Sequence, residues 1–299
     1  MYHQIARNKR NSVIVIVAFL AVWLLAGLVV GDIAYGSGGA IGGATVLGLL
    51  GIAAAMFSYY FGSQTVLSAV GAHEADPQQF QQLYNIVQTL AIGDGLPMPK
   101  VYIMDDVSPN AFATGRDPQH AAVTVTTGLL QMMNREELEG VLGHEMSHVK
   151  NYDVRLLLVV STMIGLAALI ASMYWNGAWR IRSRDGRAML VVFAIGIIFT
   201  LIAFIVGPLM QLALSRQRES LADASGVELT RNPAGLLSAL KKIAANDRPP
   251  AKFNHAVAAM MIDNPTEHHG NFFNHLFDTH PPIEDRIAAL ERIAAVQQT

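Results

Sequence analysis

The chain has 299 residues, of which 52% are hydrophobic and only 15% are charged. Soluble domains carry about 25% charged residues, so this composition disfavours a wholly soluble protein. The absence of Cys excludes disulfide bonds, thiolate metal sites and a cysteine nucleophile. A formal net charge of −2 gives no basis for binding nucleic acid, and we expect no such partner.

Four uncharged, apolar stretches are long enough to cross a lipid bilayer, which takes about 20 largely apolar residues. The second of them begins with a glycine-rich run, and its span is placed after most of that run. Pro208 predicts a kink near the end of the fourth. The predicted spans are 11–31, 40–61, 156–179 and 188–215.

The charges that flank these spans predict their orientation. Three basic residues within 7–10 precede the first span, so the positive-inside rule places the N-terminus in the cytoplasm. Counting the crossings then places 62–155 and 216–299 in the cytoplasm and 180–187 outside. The four arginines within 180–187 run against the rule, whereas the basic flanks of the cytoplasmic segments agree with it.

The first cytoplasmic segment has mixed α and β patterning. Apolar residues at helical spacing predict an amphipathic helix over 77–92, which Pro97 and Pro99 would stop. A second helix is predicted from Asn134, where Glu137 completes a capping box. Short runs rich in β-branched residues predict strands at 101–104 and 121–127, and the segment 110–115 between them is a candidate third strand.

The last segment is helical in pattern. Asn232 followed by Pro233 predicts a helix start, with an N-cap and then Pro at the first helical position. Pro282 predicts the same arrangement for a final helix. The stretch 255–280 holds five His and is predicted to be a loop.

The most informative motif is His144-Glu145-Met146-Ser147-His148. Two His four residues apart lie on one face of a helix and can bind a single Zn²⁺. The Glu that follows the first His can take a proton from the metal-activated water and pass it to the leaving amine. Glu145 is therefore the predicted catalytic base. The alternative is a surface helix with two unrelated His.

A catalytic zinc site needs a third protein ligand on the same side of the membrane. Glu219 directly follows the fourth span, and Asp223 lies one helical turn further on, where it could hold a ligand His by its far ring nitrogen. The alternative for Glu219 is a charge at the membrane flank, paired with Arg216 or Arg218. Arg286 is predicted to be a helix-surface charge rather than a partner of Asp223 or of the substrate.

The chain resembles the HtpX-type membrane zinc metalloproteases, within the wider group that includes the CAAX prenyl proteases. The resemblance covers nearly the whole chain and is carried by several motifs in order. The His- and Phe-rich stretch 267–277 departs from the pattern. The matching segments are the two leading spans, 110–115, 126–129, the motif at 144–148, two further spans, 218–223, 230–233 and 279–282.

The resemblance implies roles for further residues. In the family the first carboxylate of the pair Glu219 and Asp223 is the zinc ligand. Asn110 and Ala111 would lie on an edge strand and pair with the substrate backbone, a common way of binding extended peptides. His280 would stabilise the oxyanion of the reaction. One Zn²⁺ per chain is implied.

Sequence and resemblance together predict a mainly α, α+β protein. It would have a four-helix transmembrane region and a cytoplasmic zincin-like catalytic domain with a small β-sheet. Residues 1–62 would form two spans, 63–155 the first part of the catalytic domain, 156–215 two further spans, and 216–299 the part with the third ligand.

The implied function is a multi-pass protease of the bacterial inner membrane whose active site faces the cytoplasm. Its substrates would be misfolded or damaged proteins, chiefly membrane proteins, degraded under stress. His148 and Glu219 lie eight and four residues from the neighbouring spans. At 1.5 Å rise per residue, this spacing places the metal within roughly 12 Å of the hydrocarbon edge.

Three other functions fit the sequence less well. A CAAX-type protease for prenylated peptides is disfavoured because four spans do not make a large enclosing chamber. A non-proteolytic zinc-binding scaffold is disfavoured by Glu145, since metal binding alone needs no base. A transporter is weaker still, because the predicted spans contain no ionisable residue.

Overall fold

The computed structural model describes residues 2–177, 186–201, 216–246, 261 and 283–297. The helices within these residues, in chain order, are α1 (Tyr2–Tyr35), α2 (Ser37–Ala69), α3 (Gln81–Asp94), α4 (Thr127–Met132), α5 (Arg135–Lys150), α6 (Asp153–Gly177), α7 (Gly186–Leu201), α8 (Arg216–Thr230), α9 (Pro233–Ala244) and α10 (Ile283–Gln297). The strands are β1 (His73–Glu74), β2 (Lys100–Met104), β3 (Ala111–Gly115) and β4 (Ala121–Thr126).

Three of the described helices, α1, α2 and α6, are long and apolar enough to cross a membrane. They correspond to the first three predicted spans. The described part of the fourth is α7, an apolar helix of 16 residues. Residues 202–215, which include Pro208 and its predicted kink, lie outside the described part of the chain.

Glycines bring α1 and α2 into close contact. A Cβ atom on Gly27 of α1 would overlap the carbonyl oxygen of Gly43 on α2, and one on Gly31 would overlap that of Gly39. Small residues at such positions let two helices approach backbone to backbone. Because of this packing, α2 begins at Ser37 and already includes the glycine-rich run that the predicted span largely left out.

The outward faces of α1 and α2 expose large apolar side chains to the surroundings. Leu25, Ile41 and Leu49 are among those with more than half of their surface exposed. A continuous apolar surface of this kind is typical of helices that face lipid. Helix α6 is more enclosed, since it contacts α1, α2 and α7.

A four-stranded sheet has the order β1-β2-β4-β3. β2 and β4 are parallel, and the other two pairs are antiparallel, so β3 is an edge strand. The two predicted strands and the candidate third strand are confirmed. β1 was missed because it has only two residues, both exposed, and therefore carries no apolar alternation.

Alternate residues of the sheet face two different cores. Val101 and Ile103 of β2 point into the core of the soluble part, with α3, α5 and α9. Tyr102 and Met104 point the other way, into a cluster with Leu156 and Leu158 of α6. The sheet therefore packs directly against a long apolar helix.

Two short-range features differ from the predicted elements. Helix α3 begins at Gln81 rather than at 77 and ends before Gly95, whose φ of +66° is left-handed, so it stops ahead of both prolines. Helix α4 was not predicted. It has six residues, too few for an apolar period, and begins where the Thr126 hydroxyl accepts a hydrogen bond from the Leu129 N–H.

Two of the predicted helix starts in the soluble part are confirmed, those at Asn134 and at Asn232-Pro233. The Asn134 side chain accepts from the Glu137 N–H, and the Glu137 carboxylate accepts from the Asn134 N–H, which completes the capping box. Asn232 caps α9, with Pro233 at its first position. Pro282 and most of the predicted loop 255–280 lie outside the described residues.

Candidate metal centre

Helix α5 presents two imidazoles to a carboxylate on α8. The Nε2 atoms of His144 and His148 are 3.2 Å apart. Glu219 Oε2 lies 3.5 Å from His144 Nε2, and Glu219 Oε1 lies 3.7 Å from His148 Nε2. Ligands at 2.0–2.1 Å from a tetrahedral metal are about 3.3 Å from one another, so these three side chains fit one ion. All three are buried.

A carboxylate fixes the orientation of each imidazole. His144 Nδ1 is 2.9 Å from Asp223 Oδ1, and His148 Nδ1 is 3.0 Å from Asp153 Oδ2. Because a carboxylate only accepts hydrogen bonds, each Nδ1 carries a proton, and each Nε2 is the ring atom that faces the other imidazole and is available to a metal. Once both Nε2 atoms are deprotonated, the two facing nitrogens and the nearby carboxylate form a donor set that a cation stabilises.

Close packing of α8 on α5 places Glu219 and Asp223. A Cβ atom on Gly226 would lie 2.9 Å from the His144 backbone nitrogen, and one on Gly143 would lie 2.9 Å from Thr230 Cγ2. Glu219, Asp223 and Gly226 are spaced four and three residues apart, which aligns them on one face of α8. The glycine contact therefore aims both carboxylates at the His face of α5.

Arg286 was predicted to be a helix-surface charge, and that prediction was wrong. Its side chain is buried and donates two hydrogen bonds to Asp223, from Nε at 3.0 Å and from Nη2 at 2.7 Å. Burial would raise the pKa of the Asp223 carboxyl, but Arg286 and His144 outweigh it and hold that pKa well below its usual range. Asp223 is thus ionised and bridges Arg286 to His144.

The imidazole of His144 is basic without a metal. Burial and the charge of Arg286 would lower its pKa, but hydrogen bonds to Asp223 and Glu219 raise it to about 9. A metal ion must therefore displace a proton at neutral pH, which couples metal binding to pH.

Glu145 is also buried on α5, beside the ligand pair. Burial raises the pKa of its carboxyl, and the neighbouring imidazoles oppose that rise. A carboxyl whose pKa moves towards neutrality is suited to exchange protons with a substrate.

The edge strand β3 lies against both α5 and α6. The carbonyl oxygen of Asn110 accepts from the Thr126 N–H at 2.9 Å on the β4 side. Main-chain groups alternate between the two sides of a strand, so those of Ala111 and Ala113 face away from β4. The Ala111 N–H is capped at 3.0 Å by the Asn110 side-chain oxygen. His280 lies outside the described residues.

Sequence reasoning missed Asp153 and its contact with His148. Asp153 is five residues beyond the motif, at the first position of α6. In the sequence, Asp153 could be noticed only as a carboxylate at the border of a predicted span, just after the helix that carries the two His.

Two imidazoles and a carboxylate, with a buried Glu directly after the first His, are the arrangement typical of a metallopeptidase site. Residues 77–294 match the family described as Peptidase family M48, and the chain belongs to that family. Together with the long apolar helices, this makes the chain an integral membrane protease.

Relatives that share one description match this chain over nearly its whole length. A "Protease HtpX homolog" of Lactobacillus helveticus is 43% identical, over 98% of this chain and all of that one. A homolog of the same description from Ligilactobacillus salivarius is 44% identical over the same shares. The crystal structure of S. mikatae Ste24p has a TM-score of 0.51 at 15% identity. It is matched over 97% of this chain and 66% of its own length, and this likeness concerns the fold alone.

Proposed function

We propose that the protein is a zinc endopeptidase with one Zn²⁺ per chain, held by His144, His148 and Glu219. The observation that carries this proposal is the spacing of the three ligand groups, 3.2 to 3.7 Å between their atoms. Imidazole and carboxylate ligands in this number are characteristic of catalytic zinc, which keeps a fourth position open. Asp223 and Asp153 hold the two imidazoles in the tautomer that binding requires.

Different residues around the site serve different steps of peptide hydrolysis. The chemistry that zinc supplies in such a site is activation of water and polarisation of the peptide carbonyl. Glu145 accepts the proton of the attacking water and delivers it to the nitrogen of the leaving amine. His280 would donate a hydrogen bond to the oxyanion that forms at the carbonyl.

The substrate would bind as an added strand at the edge of the sheet. The outward main-chain groups of Ala111 and Ala113 are the natural partners of an extended peptide. The Asn110 side-chain oxygen, which caps the Ala111 N–H, would give way to a substrate carbonyl. The edge would thereby align the scissile bond with the His face of α5.

The proposed setting is a bacterial inner membrane, crossed four times, with the site towards the cytoplasm. The spans would be formed by 1–62 and 156–215, and the catalytic domain by 63–155 and 216–299. The start of α6 at Asp153, five residues after His148, supports a site close to the lipid surface. Misfolded or damaged membrane proteins are the substrates that such a site would reach, in quality control under stress.

The direct test compares the wild type with Glu145→Gln, both as full-length, zinc-loaded protein in detergent. We expect the wild type to cleave casein and a misfolded membrane protein. The Glu145→Gln variant should keep its zinc and lose activity by about 10²-fold or more, the range for a missing general base. Glu136→Gln, an exposed change on the same helix, serves as the control.

Two outcomes would contradict the proposal. If both proteins bind zinc and neither cleaves any substrate, the protein is a zinc-binding scaffold. If a prenylated peptide is cleaved while casein and the membrane protein are left intact, the protein is a CAAX-type protease.

A further inference from the structure

We propose that Asn8, on the first helix of the chain, is a positioning residue of the metal centre. It would fix the carboxylate of Asp153 and, through it, the imidazole of His148. The inference rests on the proposed zinc site and adds α1 to the elements that build it. Asn8 is 140 residues away from His148 in sequence, and no motif connects the two.

Two short hydrogen bonds tie Asn8 to the start of α6. Its Nδ2 atom donates to Asp153 Oδ1 at 2.6 Å and to the Asn151 carbonyl oxygen at 2.9 Å. Both partners only accept, so the nitrogen of the amide must face them, and both of its hydrogens are used. Asn8, Asn151 and Asp153 are at most 6% exposed, so water does not compete for these bonds.

The two oxygens of Asp153 have different partners. Oδ2 accepts from His148 Nδ1 at 3.0 Å, while Oδ1 accepts from Asn8. Arg218 Nε lies 3.7 Å from the same Oδ1, beyond hydrogen-bond distance. Without Asn8, a buried carboxylate oxygen would lose its close donor, and turning towards Arg218 would become favourable. That rotation would draw Oδ2 away from His148.

The same end of α1 also holds the turn between α5 and α6. Tyr152 in this turn has a φ of +61°, a left-handed conformation that is uncommon for a residue with a side chain. Lys9 Nζ lies 4.1 Å from the centre of the Tyr152 ring, within range of a cation–π contact. Asn8 and Lys9 therefore contact the turn that directly follows the ligand helix.

Helix packing alone does not account for an Asn at position 8. A buried amide on an apolar helix is costly unless it is hydrogen-bonded, and an apolar residue of the same size would fill the space. Its partners are not in its own helix but in the turn and the carboxylate behind His148. The bonds of Asn8 thus serve the metal site rather than the membrane region.

The test measures the zinc dissociation constant of full-length protein in detergent, by competition with a chelator. Asn8→Leu keeps the branched shape of the side chain and removes the donor, and Asn8→Ala is the second, smaller variant. Removing a group behind a ligand typically weakens metal binding by about 10–100-fold. Asn8 contacts His148 only through Asp153, so we expect a smaller loss of zinc affinity, about 5-fold. Ser12→Ala is the matched control, since Ser12 is buried one turn along α1 and its hydroxyl donates to the Asn8 carbonyl oxygen within the same helix.

A double-mutant cycle separates positioning from general destabilisation. In an Asp153→Ala background, Asn8→Leu should have no further effect on zinc affinity, because the residue through which it acts is gone. Unfolding temperatures of the metal-free forms, measured in parallel, report any purely structural loss.

The proposal is overturned if Asn8→Leu and Asn8→Ala bind zinc as tightly as the wild type. It is equally overturned if the loss is the same with and without Asp153. Failure of the proposed function has different signatures, namely a wild-type protein that binds no zinc, or one that binds zinc and cleaves no substrate.

Discussion

Asp223 is ionised although it is buried, because two groups stabilise its negative charge. Arg286 donates two hydrogen bonds to it, and His144 contacts it from the other side. Neither Asp223 nor Arg286 is solvated, so the charge of each depends on the other. The orientation of His144, a proposed metal ligand, therefore depends on a cation from the last described helix.

Arg286→Met should lower the free energy of unfolding by about 3–5 kcal/mol, because it leaves the Asp223 charge buried without its partner. The double variant Arg286→Met/Asp223→Asn should be more stable than the single one, since the uncompensated charge is gone. Denaturant titration of the metal-free protein measures both. Arg292→Met, exposed on the same helix, is the control. Equal losses for the single and double variants would contradict the assignment.

At the scale of single residues, the sequence predicts the proposed ligands better than it predicts the residues that hold them in place. His144, Glu145 and His148 lie within one helical turn, so their spacing predicts the juxtaposition that the structure has. Arg286 meets Asp223 across 63 residues, and Asp153 depends on a turn through a left-handed Tyr152. Such contacts depend on tertiary packing, which a helical period does not encode.

Among the elements, α5 is anchored to α9 through Glu137. Its carboxylate accepts from the Asn134 N–H at 2.8 Å, from Ser238 Oγ at 2.6 Å and from Lys242 Nζ at 2.7 Å. Burial would raise the pKa of Glu137, but these donors outweigh it and lower that pKa below its usual range. A single carboxylate thus caps one helix and holds a second against it.

Glu137→Gln should lower the free energy of unfolding by about 1.5–3 kcal/mol at pH 7, the range for hydrogen bonds to a charged group. Because the pKa is lowered in the folded state, this stabilisation is present above the unfolded pKa and is lost as pH falls through the folded one. Unfolding titrations at pH 7 and at decreasing pH should show the variant converging on the wild type. Glu136→Gln, the exposed neighbour, should change little at any pH. A difference that is independent of pH would refute the role of the charge.

The contact between α5 and α8 is equally specific. Gly226→Ala would put a methyl group 2.9 Å from the His144 nitrogen, which is backbone and cannot move aside. We expect a loss of about 1–3 kcal/mol in stability, as for other overpacked sites, together with weaker zinc binding as Glu219 moves away. Gly42→Ala, where nothing lies within 4 Å of the new Cβ, is the control. Unchanged zinc affinity in Gly226→Ala would show that this contact does not place Glu219.

The elements with strong local signals were predictable, and the others were not. The capping box at Asn134 and the Asn232-Pro233 start depend on neighbouring residues, so they appear in the sequence as they appear in the fold. β1 and α4 are too short to show a period. The position of β3 at the edge of the sheet is a matter of strand order, for which the sequence offered only a family resemblance.

At the scale of the whole molecule, the candidate metal centre joins two distant stretches of chain. His144 and His148 precede the predicted third span, and Glu219 follows the fourth. The sheet packs on α6 through Tyr102, so the soluble part and a long apolar helix share a core. The apolar stretches themselves were predictable from composition, because lipid requires about 20 apolar residues per crossing. Their mutual packing through Gly27 and Gly43 was not.

The central claim is a zinc ion bound by two imidazoles and one carboxylate. X-ray absorption at the zinc edge of purified full-length protein, with the metal quantified, tests it most directly. We predict one zinc per chain, with only nitrogen and oxygen ligands at about 2.0–2.2 Å and two imidazoles, one of which is lost in His148→Ala. A protein without stoichiometric zinc, or an imidazole count that stays the same in both His144→Ala and His148→Ala, would contradict the claim.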